Sequence, residues 1–177
     1  MSVLLFQSKL AVLNLSCGFV GLIHCFATLP VVFRLREVFY RERSSSMYAP
    51  FVHSTALAVV ELPFLFVSLL FFALPAYWLI ELESSATLFF RFLLVVYLSS
   101  LFFAYMGHAL ASLLPNIQLT SMVQGAIVAM FFLFSGVYIR RGNMPEGWAW
   151  LYYIDPVPKG FIALCIEQFY TTKNCSK

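Results

Sequence analysis

Four apolar runs, each long enough to cross a lipid bilayer, occupy most of this 177-residue chain. They cover residues 10–33, 56–80, 89–111 and 119–139. A membrane-crossing helix needs about 20 apolar residues, because each residue advances about 1.5 Å and the hydrocarbon core is about 30 Å thick. Charged residues make up only 11% of the sequence, against about 25% in a soluble domain. The pattern predicts an all-α fold, a polytopic membrane helix bundle with about four spans.

The remainder of the chain, residues 140–170, follows a different pattern. It is polar at first and then carries an aromatic cluster, Trp148 to Tyr153, of the kind that lies at the level of the lipid headgroups. Pro156 and Pro158 predict a break in any helix there. Residues 161–170 are apolar but too few to span a bilayer. We therefore expect a re-entrant or interfacial helix after the fourth span.

Charged residues are concentrated between the first and second runs. Residues 34–43 hold six of the nineteen charged residues (11 basic and 8 acidic in all), and four of the six are arginines. Such an island must lie in water at one membrane face, within reach of a soluble partner. The arginine density favours the cytoplasmic face, although the opposite side carries more Lys and Arg in total. The net charge of +3 is too small to indicate a nucleic-acid partner.

Few residues are candidates for chemistry. Glu61 lies inside the second run, just before Pro63, where a charged side chain costs about 2.5–3.5 kcal/mol to insert. Two interpretations stay open: a polar pivot or pathway residue, or a structural carboxyl bonded to a neighbouring helix. The sequence has no Gly-rich phosphate loop and no cluster of Cys and His with the spacing of metal ligands. We therefore expect no catalytic residue, metal site or cofactor site in this chain.

Several short motifs follow one another along the chain. They are Val38 to Arg43 with Met47-Tyr48, Glu61-Leu62-Pro63, Pro115-Asn116, Leu133 to Gly136, and Trp148 to Tyr153 with Pro156. In this order they resemble the membrane domain of the G-type, pleiotropic-drug-resistance branch of ABC transporters. The resemblance extends over about residues 10–170.

The resemblance implies that the four runs are the second to fifth helices of a six-helix domain. It implies a cytosolic coupling loop over residues 34–47 that packs against an ATP-binding domain through a short membrane-parallel helix. The residues of that helix are Phe39, Tyr40, Arg41 and Glu42. Residues 140–170 then resemble the external re-entrant segment of the family, and Val137 and Tyr138 occupy the position of its gate.

The function that the resemblance implies is the permease portion of an ATP-driven exporter of amphipathic small molecules or lipids. Its partners would be a nucleotide-binding domain that holds ATP and Mg, a second membrane domain and the lipid bilayer. No nucleic-acid partner is expected. The expected location is the plasma membrane, and the chain by itself is not expected to be an enzyme. Phe26, Phe131 and Phe134 are candidates for lining a cavity, with helix packing or lipid contact as the alternative.

The alternative for the whole chain is a non-transporting four-span membrane protein, an interaction or assembly factor derived from such a domain. Nothing in the composition or in the motifs distinguishes the substrate.

Overall fold

In a computed structural model, the described residues are 3–79, 85–135 and 146–166, and all of their regular structure is helical. The α-helices within these residues are α1 (Val3–Ser44), α2 (Pro50–Leu79), α3 (Ala86–Leu113), α4 (Ile117–Phe134), α5 (Ala149–Ile154) and α6 (Pro156–Cys165). A short 3-10 helix, Glu146–Trp148, precedes α5. Helices α1 to α4 are long and apolar enough to cross a membrane. The predicted all-α membrane bundle with four spans is therefore confirmed.

Helix α1 is much longer than the span predicted for it. Its 42 residues extend about 63 Å, roughly twice the thickness of the hydrocarbon core. No Gly or Pro follows Pro30 before the helix ends, and Arg41 and Arg43 in the last turn suit the negative end of the helix dipole. Residues 39–42 are accordingly the last turns of α1, not the separate short helix that the resemblance implies.

The centre of the bundle is the contact between α1 and α3. These helices run parallel, because one pass through the bundle, α2, separates them, and small residues lie where they touch. A Cβ atom added to Gly21 would lie 2.3 Å from the Phe103 ring, and one added to Gly107 would lie 3.0 Å from the Cys25 carbonyl oxygen. Small residues at such contacts allow two membrane helices to approach closely. Helix α2 packs mainly on α3, and α4 and α6 flank α1.

The end of the described chain folds back into this bundle. Helix α5 ends at Ile154, and Asp155 caps α6 by accepting a 3.0 Å hydrogen bond from the Val157 backbone N–H. Pro156 takes the first helical position, which needs no backbone donor, so the prolines begin a helix here as well as ending one. Val157 and Leu164 are buried among residues of the spans. Helix α6 thus packs as a re-entrant helix does, although it begins five residues before the predicted one.

Candidate functional site

The end of α1 and the start of α2 form a tight polar hairpin. Ser46 has a φ of 55°, in the left-handed region, and the backbone N–H of Met47 donates to the Glu42 carbonyl oxygen at 3.3 Å. Pro50 then begins α2, a position where its fixed φ suits a helix. These local features turn the chain sharply after the arginine island. They bring residues from both helices to one end of the bundle.

Two side-chain contacts fix the hairpin. The Tyr48 hydroxyl donates to the Glu42 carboxylate at 2.5 Å, and this hydrogen bond raises the pKa of Tyr48 above its ordinary value. The Phe39 ring stacks on the His53 ring, with centroids 4.4 Å apart and an interplanar angle of 25°. Phe39 and Glu42 therefore face the hairpin, as residues three apart on a helix do.

The other two residues predicted to contact a partner, Tyr40 and Arg41, are exposed. Tyr40 is 58% exposed, and Arg41 is also exposed. The four predicted coupling residues are thus together at one end of α1, but they divide into two pairs. Tyr40 and Arg41 are exposed, while Phe39 and Glu42 are half-buried.

Arg36 is a functional candidate that the sequence reasoning did not single out. Its guanidinium donates hydrogen bonds to the carbonyl oxygens of Ala111, Leu114 and Pro115, at 3.1, 2.7 and 2.7 Å. These carbonyls lie at the C-terminal end of α3, where backbone acceptors lack partners within the helix. Arg36 also lies 4.6 Å from the centroid of the Phe33 ring. It ties the end of α1 to the link between α3 and α4.

Glu61 has a partner on a neighbouring helix. Its Oε2 atom lies 3.6 Å from Nε2 of His108 on α3, and both side chains are less than one-fifth exposed. This separation is longer than a hydrogen bond but short enough for an ion pair when His108 is protonated. Nearby, the hydroxyl groups of Tyr97 and Tyr105 donate to the α2 carbonyl oxygens of Leu62 and Ala58. The contact agrees with the interpretation of Glu61 as a structural carboxyl bonded to a neighbouring helix. It is also compatible with a role of Glu61 in transport.

We expect a double-mutant cycle to detect this pair. Glu61→Gln and His108→Gln should each destabilise the chain, and the double variant should lose less than the sum. Polar pairs between membrane helices couple by about 0.6 kcal/mol on average and up to about 1.7 kcal/mol. The measurement is the free energy of unfolding in a detergent titration. Additive losses, with no coupling, would show that the two side chains do not interact.

The other histidines have separate surroundings. His24 lies on α1, with Nε2 3.1 Å from the Ser68 hydroxyl of α2 and Nδ1 2.8 Å from the Val20 carbonyl oxygen. His53 is stacked on Phe39, and His108 faces Glu61. Within the part of the chain that the structure describes, no group of three or more His, Cys, Asp or Glu side chains is arranged to hold a metal ion.

The aromatic residues predicted to line a cavity lie in two environments. Phe131 is only 6% exposed and packs against Phe103 in the core, a contact that favours the packing alternative for this residue. Phe26 is half-buried beside α4, and Phe134 stacks on Trp148 with centroids 5.6 Å apart. The predicted gate residues Val137 and Tyr138 lie outside the described residues.

Known proteins match this chain over most of its length. The family described as ABC-2 type transporter matches residues 2–169. The chain is 36% identical over 151 residues to ABC transporter G family member 36 of Arabidopsis thaliana, which covers 85% of this chain. It is 33% identical, with the same coverage, to ABC transporter G family member 42 of Oryza sativa subsp. japonica. The chain spans 10% of the length of each of these relatives.

Proposed function

Because the chain belongs to the ABC-2 type transporter family, we propose that it is the permease portion of an ATP-driven exporter of amphipathic small molecules or lipids. In this proposal, ATP and Mg²⁺ bind to a nucleotide-binding domain outside this sequence, and a second membrane domain completes the pathway. The hairpin between α1 and α2 lies in the cytosol, residues 140–170 lie outside, and the membrane is the plasma membrane. The chain itself contributes no catalytic residue.

The continuous helix α1 is the observation that carries the proposal. The same helix forms the first span and the charged end, and no Pro or Gly interrupts it after Pro30, so a displacement of Tyr40 and Arg41 moves the adjoining part of the span. The ties of Arg36 to the end of α3 transmit that displacement to a second span. Closure of nucleotide-binding domains on ATP can therefore change the packing of α1 and α3 against their neighbours.

A chimaeric transporter tests this function. We expect that residues 2–169, placed in the matching segment of the Arabidopsis relative, support ATP-dependent export of a fluorescent amphipathic dye from cells. A matched chimaera that carries the corresponding segment of the rice relative serves as the control for the exchange itself. Export by the rice chimaera alone, with equal surface amounts of both proteins, would contradict the proposal and favour a non-transporting interaction or assembly protein.

A further inference from the structure

A crevice of about 490 Å³ opens between α1, α2 and α3, at the end of the bundle where α1 and α3 finish. Helix α2 packs mainly on α3 and touches α1 little, which leaves the space open. The residues that line it change in character along the helix axes. Arg36, Arg43 and His53 lie towards its mouth, and Val32, Leu57 and Ala58 form its wall.

The mouth of the crevice carries two positive charges without a carboxylate among its described lining residues. Arg36 is held by three backbone carbonyls, which are neutral groups, so its charge is not cancelled. Three of its five N–H donors are used in these bonds, and two remain for a ligand. Arg43 is exposed and forms no ion pair with any described residue. The neighbouring Glu42 carboxylate accepts a hydrogen bond from Tyr48. The mouth is therefore suited to an anion.

The apolar wall of the crevice favours a lipid over a free anion as the ligand. Arg43 and Val32 are eleven residues apart on α1, so the crevice extends about 16 Å along the helix. Its wall residues belong to the predicted spans, where acyl chains have direct access. A small soluble anion would gain nothing from Val32, Leu57 or Ala58, whereas a lipid would bury apolar surface against them.

We propose that this crevice binds an anionic phospholipid. The phosphate contacts Arg36 and Arg43, and the upper part of one acyl chain lies along Leu57 and Ala58. Polybasic sites at a membrane surface select anionic lipids by charge, and the apolar wall holds one lipid in place. The site adjoins Tyr40, which also lines the crevice, so a bound lipid touches one of the two exposed coupling residues. The proposal does not depend on export or on which membrane face is cytosolic.

Spin-labelled lipids test the site directly. The full chain is placed in phosphatidylcholine nanodiscs with a small fraction of spin-labelled phosphatidylserine or spin-labelled phosphatidylcholine. Electron paramagnetic resonance then gives the immobilised fraction of each label. We expect a preference for phosphatidylserine that falls about tenfold in Arg43→Gln, the effect of losing a direct hydrogen bond to the charged phosphate. Arg43→Lys keeps the charge and should keep most of the preference.

Arg34→Gln is the matched control, because it removes the same charge from an exposed position of the same helix that does not line the crevice. It should leave the preference nearly unchanged. Equal losses in Arg34→Gln and Arg43→Gln would overturn the proposal in favour of diffuse surface attraction. A wild-type chain with no preference would also overturn it. Displacement of the label by millimolar inorganic phosphate would instead show a site for free anions.

Discussion

Replacing Glu42 with alanine is expected to reduce ATP-dependent export by the chimaeric transporter about tenfold or more, while the protein still reaches the cell surface. The carboxylate of Glu42 lies in the last turns of α1 and accepts a hydrogen bond from Tyr48. The carboxylate is the charged group that Glu42 would offer to a nucleotide-binding domain, and a loss of about 1.4 kcal/mol of coupling energy corresponds to a tenfold change in rate. The measurements are dye export and ATP hydrolysis in the same vesicles, with the expected result that hydrolysis persists without export.

Tyr48→Phe is the control that separates two roles of Glu42. This variant lacks the hydroxyl group that donates to Glu42, so the hydrogen bond is lost while the Glu42 carboxylate stays in place. If Glu42 acts by contacting a nucleotide-binding domain, Tyr48→Phe should retain most of the export. If Glu42 only holds the hairpin, Tyr48→Phe should lose as much as Glu42→Ala. Full export by a well-expressed Glu42→Ala protein would rule out both roles.

The four spans were predictable because their signal is long and local. Twenty or more consecutive apolar residues cannot remain in water, and a single pass across the hydrocarbon accommodates them as a helix. The residue at which α1 ends was less predictable, because the signal that ends a span is not the signal that ends a helix. The arginine island marks the point where the chain enters water, but charge does not end a helix. Residues 34–44 contain no Gly or Pro, and the helix continues to Ser44.

The prolines at the start of α6 show that a local signal can have two readings. Pro156 and Pro158 break an incoming helix, but Asp155 directly before Pro156 is also the pattern of an N-cap followed by a first helical residue. The structure combines both, with α5 ending at Ile154 and α6 beginning at Pro156. The cap was therefore visible in the sequence.

Contacts between helices were beyond the reach of the sequence pattern. The position of Glu61 in an apolar run predicts some partner on another helix, but His108 is 47 residues away and its choice depends on how α2 and α3 are rotated against each other. The hydrogen bonds from Arg36 to the carbonyl oxygens of Ala111 and Leu114 likewise depend on how α1 and α3 are rotated against each other. Helix rotation follows from the packing of whole surfaces, and the apolar residues here surround each span too evenly to specify one face.

The close approach of α1 to Gly107 of α3 gives the largest expected effect on stability. Gly107→Ala should lower the free energy of unfolding by about 1–3 kcal/mol, and Gly107→Leu by more, because extra atoms in a tightly packed contact force the backbones apart. The new Cβ atom would lie 3.0 Å from both the Cys25 carbonyl oxygen and the Thr28 hydroxyl oxygen. The Thr28 hydroxyl already donates to that carbonyl at 2.9 Å, so neither atom moves aside easily.

Gly125→Ala in α4 is the matched control for this substitution. Its added Cβ atom would meet only the Phe26 ring, at an ordinary contact distance of 3.7 Å. Alanine is favoured over glycine within a helix by about 1 kcal/mol, so this variant should be as stable as the wild type or more stable. Both variants gain the same helix propensity, and the difference between them in a detergent unfolding titration isolates the steric term. Equal stabilities would mean that α1 and α3 are not in close contact at Gly107.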